Sequence, residues 1–383
     1  MGGCVECKIC KQDEDKNQFE YPNNAGKKVD NTIDSKDKII DDNNNNNINL
    51  FLKEFDEKIK LIGQYMTEQD FEIMIPEEAK KYIKEQPFPI ELKNNNSCQI
   101  KPVEFENGNI YYGEWNDNFE MEGYGKYYLK EEKVFAEGIW EKGELKHARI
   151  FYPNGEFYEG KMSNSSYNGK GKFISVDKDE YIGEFVDGEK DGEGTITFGD
   201  DGTVYSGKFI KNNFNGYGKM KWSNGLEYNG NFNDNYLEGN GVLFNNHGEK
   251  YEGNFEKNTF HGKGKYTYLN GDEYEGGFEY GIRKGKGIYR KKNGFIFEGL
   301  WDNNIPNGYG KITFNDNVFH YNFHNGKVID EPVYENGPEF NDIDKFYLEP
   351  MNLSTQKLSH IENVDVLSSQ YKAGTMLSFL EDN

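Results

Sequence analysis

The chain of 383 residues carries a formal net charge of −22 and a pI near 4.8, which excludes nucleic acid as a partner because phosphate binding needs a basic face. The same charge opposes plain electrostatic adsorption to anionic lipid. Hydrophobic residues make up only 35% and aromatic residues alone 15%, so a thick aliphatic core is excluded and any core is built mostly of rings.

The first segment, residues 1–10, is MGGCVECKIC. Met-Gly at a terminus permits N-myristoylation of Gly2, and Cys4, Cys7 and Cys10 are acceptors for palmitate. One myristoyl chain binds membranes only marginally, with a constant of about 10⁴ M⁻¹, so a second acyl chain is expected. Glu6 stands where the acylation pattern prefers Ser or Thr. The same cysteines have a spacing that suggests an iron–sulfur or metal site, but no fourth ligand lies nearby, and no metal is expected. No apolar signal segment opens the chain and no stretch of 18 apolar residues occurs, so no transmembrane helix is expected. Three of the four cysteines fall in the first ten residues, which fits a reducing cytosolic compartment.

Residues 11–47 are polar and charged and end in an asparagine run of the kind AT-rich protist genomes encode. They cannot bury enough apolar surface to order themselves and read as a tether. Residues 48–92 read as a helical lead-in. Ile48, Phe51, Leu52, Phe55, Ile59 and Ile62 follow helical spacing, and Pro76 opens a second helix with acids in its first turn.

Tyr111-x-Gly113-x-Trp115 begins a repeat. It recurs from Tyr158, Tyr181, Tyr205, Tyr228, Tyr251, Tyr274 and Phe297 at steps of 23 or 24 residues, and Ala136-x-Gly138-x-Trp140 is a degenerate copy. A Gly-x-Gly pair follows in every copy but that one, where Lys146 and Ala148 stand instead. Asn154-Gly155, Asn224-Gly225, Asn270-Gly271 and Asn293-Gly294 mark turns between units, and the expected turn is type I′. Each unit is then two short strands. Period-two geometry puts Tyr251, Gly253 and Phe255 on one face, so the glycines leave room for rings to lean across.

These residues resemble the MORN (membrane occupation and recognition nexus) repeat, and YEGNFEKNTFHGKGKYTYLNGDE at 251–273 is similar to its pattern nearly throughout. The array is expected over 98–327, with about nine repeats between half-repeat caps at 98–108 and 319–326. The resemblance implies an all-β fold: an elongated single-layer antiparallel hairpin array with short helical flanks and an aromatic groove. Tyr181, Phe185, Tyr205, Phe209, Tyr228, Phe232, Tyr251, Phe255, Tyr266, Tyr274 and Phe278 are the expected groove residues for a protein partner.

Arg283, Lys284, Lys286, Arg290, Lys291 and Lys292 break the acidic trend and are the candidate contact for anionic lipid or an acidic partner. Catalytic motifs and cofactor-binding motifs are absent: the six histidines are scattered, the Gly-x-Gly pairs lack the third glycine of a dinucleotide site, and Asp177 and Asp179 begin no complete calcium loop. In the tail, 328–383, a helix is expected over 362–381 and a docking place for it in the groove.

The expected function is a non-enzymatic scaffold on the cytoplasmic face of a plasma, ciliary or cortical membrane. It is held there by acylation and recruits proteins along the array. The alternatives are a structural subunit of an axonemal complex and a regulatory module for a phosphoinositide kinase. Exposed terminal strands would allow end-to-end homodimers.

Overall fold

The computed structural model describes residues 53–89, 97–329, 333–336 and 351. The acylation segment, the tether and the expected tail helix lie outside them. The chain divides into two compact units, at Gly155 and Glu156. Both are antiparallel hairpin arrays, so the all-β class holds.

The repeat from Tyr251 shows how each hairpin is built. Strand Lys250–Glu256 pairs with Thr259–Thr267, setting Tyr251 opposite Tyr266, Gly253 opposite Gly264 and Phe255 opposite Phe260. The Tyr251 ring lies flat over the paired glycines, and its hydroxyl donates to the carbonyl of Asn254 at 2.8 Å. A Cβ placed on Gly264 would stand 2.5 Å from Tyr251 Oη and 2.6 Å from its ring, closer than any packed pair of atoms. The same donation recurs from Tyr111, Tyr158, Tyr181, Tyr205, Tyr228 and Tyr274 to the residue three places on.

The first glycine of each Gly-x-Gly has a different task. Between the pairs Gly253–Gly264 and Asn254–His261 the second strand carries extra residues, and Gly262 takes φ +61° there. This is a bulge in the left-handed region, where a side chain is strained.

The turns exchange the expected assignments. Positive φ at both central residues, the type I′ condition, occurs inside each repeat but the one from Tyr111, as at Asp234 and Asn235 (44° and 70°) and Lys257 and Asn258 (44° and 66°). At the Asn-Gly connections between repeats only the glycine is left-handed, as at Gly225 with φ 83°. Gly225 N donates to Trp222 O, while Asn224 Oδ1 accepts from Leu226 N at 2.9 Å. The asparagine side chain thus mimics a turn carbonyl and holds its own backbone right-handed.

In unit 1 the degenerate copy has a simple cause. Ala136 supplies no ring to lie on the sheet, so Ala148 pairs with Gly138 without a clash that a tyrosine would create. The lead-in packs on the opposite face of this unit's sheet. Residues 53–62 form helix α1, Glu68–Met74 helix α2 and Glu77–Glu85 helix α3, the last with Pro76 at its N-cap as expected. A strand at Gly63–Tyr65, unforeseen in the helical pattern, pairs with Val103–Phe105. Phe71 lies against Tyr112, and the Tyr82 ring meets Phe151. Phe55, from α1, instead meets Trp115 and Phe119 at the end of the hairpin.

In unit 2 the last hairpin strand, Asn317–His324, pairs onward with Lys327–Val328 and Val333–Asn336. That edge of the last hairpin is therefore paired within the chain. Tyr321 occupies the position of the missing glycine, opposite Gly310.

Gly264 has an ordinary φ, so its replacement tests the ring and not the backbone. Gly264→Ala is expected to destabilise unit 2 by roughly 2–4 kcal/mol. With Tyr251→Ala present the same change should cost at least about 1 kcal/mol less, because no ring remains to clash. Chemical denaturation of the four proteins of the cycle checks this, and strict additivity would refute the ring-on-glycine contact.

Candidate interaction surface

Each repeat of unit 2 has a slot two residues ahead of its Gly-x-Gly. Tyr167, Lys190, Phe214, Leu237, Phe260, Arg283 and Pro306 fill it in turn. Where the residue is aromatic it stacks on the repeat's own tyrosine, with centroids 3.7 Å apart for Tyr158–Tyr167 and 3.9 Å for both Tyr205–Phe214 and Tyr251–Phe260. The phenylalanines two places beyond each Gly stand edge-on: Tyr251 has Phe255 and Phe278 each at 5.1 Å. The layer is a continuous alternation of flat and edge-on rings, the arrangement their quadrupoles favour.

All the rings assigned from the sequence to a partner-binding groove lie in this layer. Their exposures range from 0% for Tyr251 to 4% for Phe278, and they pack against one another and against the slot residues. Burial is the first cause that lifts the hydroxyl pKa of Tyr181, Tyr205, Tyr228, Tyr251 and Tyr274 far above the ordinary phenol value. These groups stay protonated, as donors to the backbone.

Two slots hold cations that sequence reading missed as members of this layer. Lys190 is buried, with Nζ 5.0 Å from the Tyr181 ring centre. Desolvation pushes its pKa down to about 8, against a smaller opposing pull from Asp179. Arg283 is also buried, 5.7 Å from Tyr274 and 5.0 Å from Trp301. It donates to Tyr268 Oη at 2.6 Å and to Asn304 O at 2.9 Å. The signal was in the sequence: the slot has a fixed register, and both cations sit in it.

A second unforeseen feature stitches repeat to repeat. The last turn residue of one repeat donates its N–H to the slot residue's carbonyl of the repeat before, as Asn258 N does to Leu237 O. Asn258 Oδ1 accepts Leu237 N at 2.7 Å in return, and Asn212, Asn235 and Asn304 do the same for Lys190, Phe214 and Arg283.

The expected basic cluster is dispersed. Arg283 is in the ring layer, Lys284 pairs with Glu279, and Arg290 pairs with Glu275 at 3.0 Å. Lys286 is exposed on the opposite face, and Lys291 lies over Phe295. Strand alternation and local acids separate residues that are neighbours in sequence. Among the described residues no group of three or more His, Cys, Asp or Glu is placed to hold a metal ion. Among them too, no helix is long and apolar enough to cross a membrane.

The face away from the rings is different in kind. One cross-strand row on it reads Lys172, Ile182, Thr195, Ser206, Lys219, Asn229, Val242, Glu252, Lys265 and Glu275. The ring face keeps one chemistry from repeat to repeat while this face changes it.

Lys190→Leu, the residue found in the Leu237 slot, is expected to stabilise unit 2 by roughly 3 kcal/mol near pH 7. The folded lysine pKa is depressed, so below about 8 the native state carries a buried charge, and between about 8 and 10.5 the unfolded state binds the extra proton. The penalty of wild-type Lys190 is thus full at neutral pH and vanishes above the ordinary lysine pKa. The Tm difference between variant and wild type should shrink across that window, and a pH-independent difference would refute the buried charge.

A family model described as the MORN repeat matches seven times, at 158–180, 181–203, 205–227, 228–249, 251–273, 274–295 and 297–318. The two copies from Tyr111 and Ala136 lie outside the match but form paired hairpins of the same kind. No curated protein matches the chain. Among solved structures, the TCP10 domain of Danio rerio CPAP in complex with a peptide of Danio rerio STIL is 10% identical, with a TM-score of 0.35. It covers 56% of this chain and 95% of that one. The SAS-4 (dCPAP) TCP domain of Drosophila melanogaster in complex with a proline-rich motif of Ana2 is 14% identical, with a TM-score of 0.24, covering 44% and 79%. Likenesses of this degree carry no argument about function. Seven consecutive repeats, each with its tyrosine on a glycine pair or, in the last, Phe297 in that place, make residues 158–318 of this chain an array of MORN repeats.

Proposed function

We propose that this protein is a non-enzymatic scaffold, tethered by acylation to the cytoplasmic face of a membrane, whose array recruits other proteins. The observation that carries the reading is the division of labour between the two faces. The ring layer is spent on holding repeats in register, and the other face offers a varied surface on a constant frame. A rigid array with a changing outer row suits recognition of extended partners better than chemistry at one point.

The tether half rests on Gly2, with Cys4, Cys7 and Cys10 as the second acylation signal. Their distance from the array, through the polar stretch at 11–47, would let it move over a membrane surface. Plasma, ciliary and cortical membranes are the proposed locations. The ring layer could still admit a partner helix, but only by opening contacts that the structure shows closed, so recruitment is proposed to begin on the exposed face.

The test is fractionation of the full chain in cells. Gly2→Ala with Cys4→Ser should move most of the protein from the membrane to the soluble fraction. Unchanged membrane recovery would remove the tether, and retention in a detergent-resistant cytoskeletal pellet would favour the structural-subunit alternative instead.

A further inference from the structure

The tetrapeptide Gly-Tyr-Gly-Lys occurs three times, at 123–126, 216–219 and 308–311. In each, the glycines belong to the ring face and the tyrosine and lysine to the opposite one. The three copies are not used alike.

The first copy is covered by the chain's own lead-in. Phe88 packs on Tyr124 with centroids 5.7 Å apart, and Tyr124 Oη donates to Glu137 at 2.7 Å. Lys126 meets Glu72 of α2 at 3.3 Å. Arg149 donates to Gln86 O at 2.6 Å and lies 5.2 Å from the rings of both Tyr82 and Phe88. An acidic amphipathic segment thus seats a phenylalanine on the tyrosine and a carboxylate on the lysine.

The other two copies have no lead-in residue on them, although Tyr309 stacks on His320 with centroids 5.6 Å apart and its hydroxyl meets His320 Nδ1 at 2.5 Å, and Lys311 faces Glu298 across the strand. Tyr217 is 65% exposed and Tyr309 is 56% exposed. Neither Lys219 nor Lys311 forms an ion pair among the described residues. The cross-strand neighbours of Lys219 are Ser206 and Asn229, so it has no acid beside it in its own row, whereas Lys208 on the adjoining strand faces Glu193. In a chain of net charge −22 this is a local basic and aromatic surface.

We propose that the outer face at Tyr217 and Lys219, with a weaker counterpart at Tyr309 and Lys311, docks an acidic amphipathic segment of a partner protein. The partner places a phenylalanine on the tyrosine ring and a glutamate or aspartate on the lysine, as Phe88 and Glu72 do within unit 1. A second copy of this chain is the poorer occupant, because its matching segment is already seated on its own Tyr124. The inference rests on the scaffold reading but not on the tether, so fractionation and the experiment below fail independently.

The probe is a synthetic peptide of residues 66–89, titrated into the full chain and followed by fluorescence anisotropy. Saturable binding is expected. Tyr217→Ala with Tyr309→Ala should weaken it at least about tenfold. Both tyrosines are largely exposed, so these variants leave the ring layer intact. A peptide carrying Glu72→Lys should bind wild type poorly and recover on Lys219→Glu with Lys311→Glu, a reversal that misfolding cannot mimic. No saturable binding up to about 1 mM overturns the proposal, as does binding that ignores both pairs of variants, since the peptide would then be exchanging with the lead-in. So would a concentration-dependent dimer abolished by the tyrosine variants, which would make a second copy the occupant. So would hydrogen-exchange protection at 216–219 that disappears on deletion of 360–383, which would make the chain's own tail the occupant.

Discussion

A tyrosine ring lying flat on two glycines paired across a hairpin is the contact on which this molecule depends. It solves the problem of a core in a chain with few aliphatic residues. The ring gains apolar burial over backbone atoms that would otherwise face water, and its hydroxyl returns to the backbone three residues on, so nothing polar is stranded. Any Cβ at either glycine would lift the ring away. The degenerate copy in unit 1 shows the converse: without the tyrosine, alanine is admitted opposite Gly138.

Once that contact is fixed, the rest of the layer follows. Phenylalanines stand edge-on to the flat tyrosines, and the slot beside each tyrosine takes a second flat ring, an aliphatic residue or a cation. Lys190 and Arg283 lose hydration there and gain the faces of electron-rich rings in exchange, a poorer bargain for an ammonium than for the weakly hydrated guanidinium. Desolvation accordingly depresses the lysine pKa. Asparagines or glycines at the turn tips then tie each slot residue to the next repeat, so that repeats share hydrogen bonds as well as rings.

With the ring face closed on itself, the variable surface is the face opposite. In unit 1 that face is already covered by the lead-in, through Phe71, Phe88 and Arg149. In unit 2 the equivalent tyrosines remain exposed. A frame that is the same in every repeat and a surface that is not is what a repeat protein needs in order to bind one partner and refuse another.

The amino-acid sequence by itself determined the repeat, its two strands, the phase of ring and glycine, and the helix begun by Pro76, because each depends on residues within about twenty places of one another. It misled on turn type, since Asn-Gly satisfies two different hairpin geometries and the asparagine's own hydrogen bond selects between them. It also grouped Arg283 with the lysines that follow, although alternation sends that side chain to the ring layer and its neighbours outward. Only the tertiary structure decided which rings are sealed and which are free, because exposure is set by what packs from distant residues. Tyr124 and Tyr217 stand in the same tetrapeptide, yet Phe88 from the lead-in lies against the first while the second stands exposed.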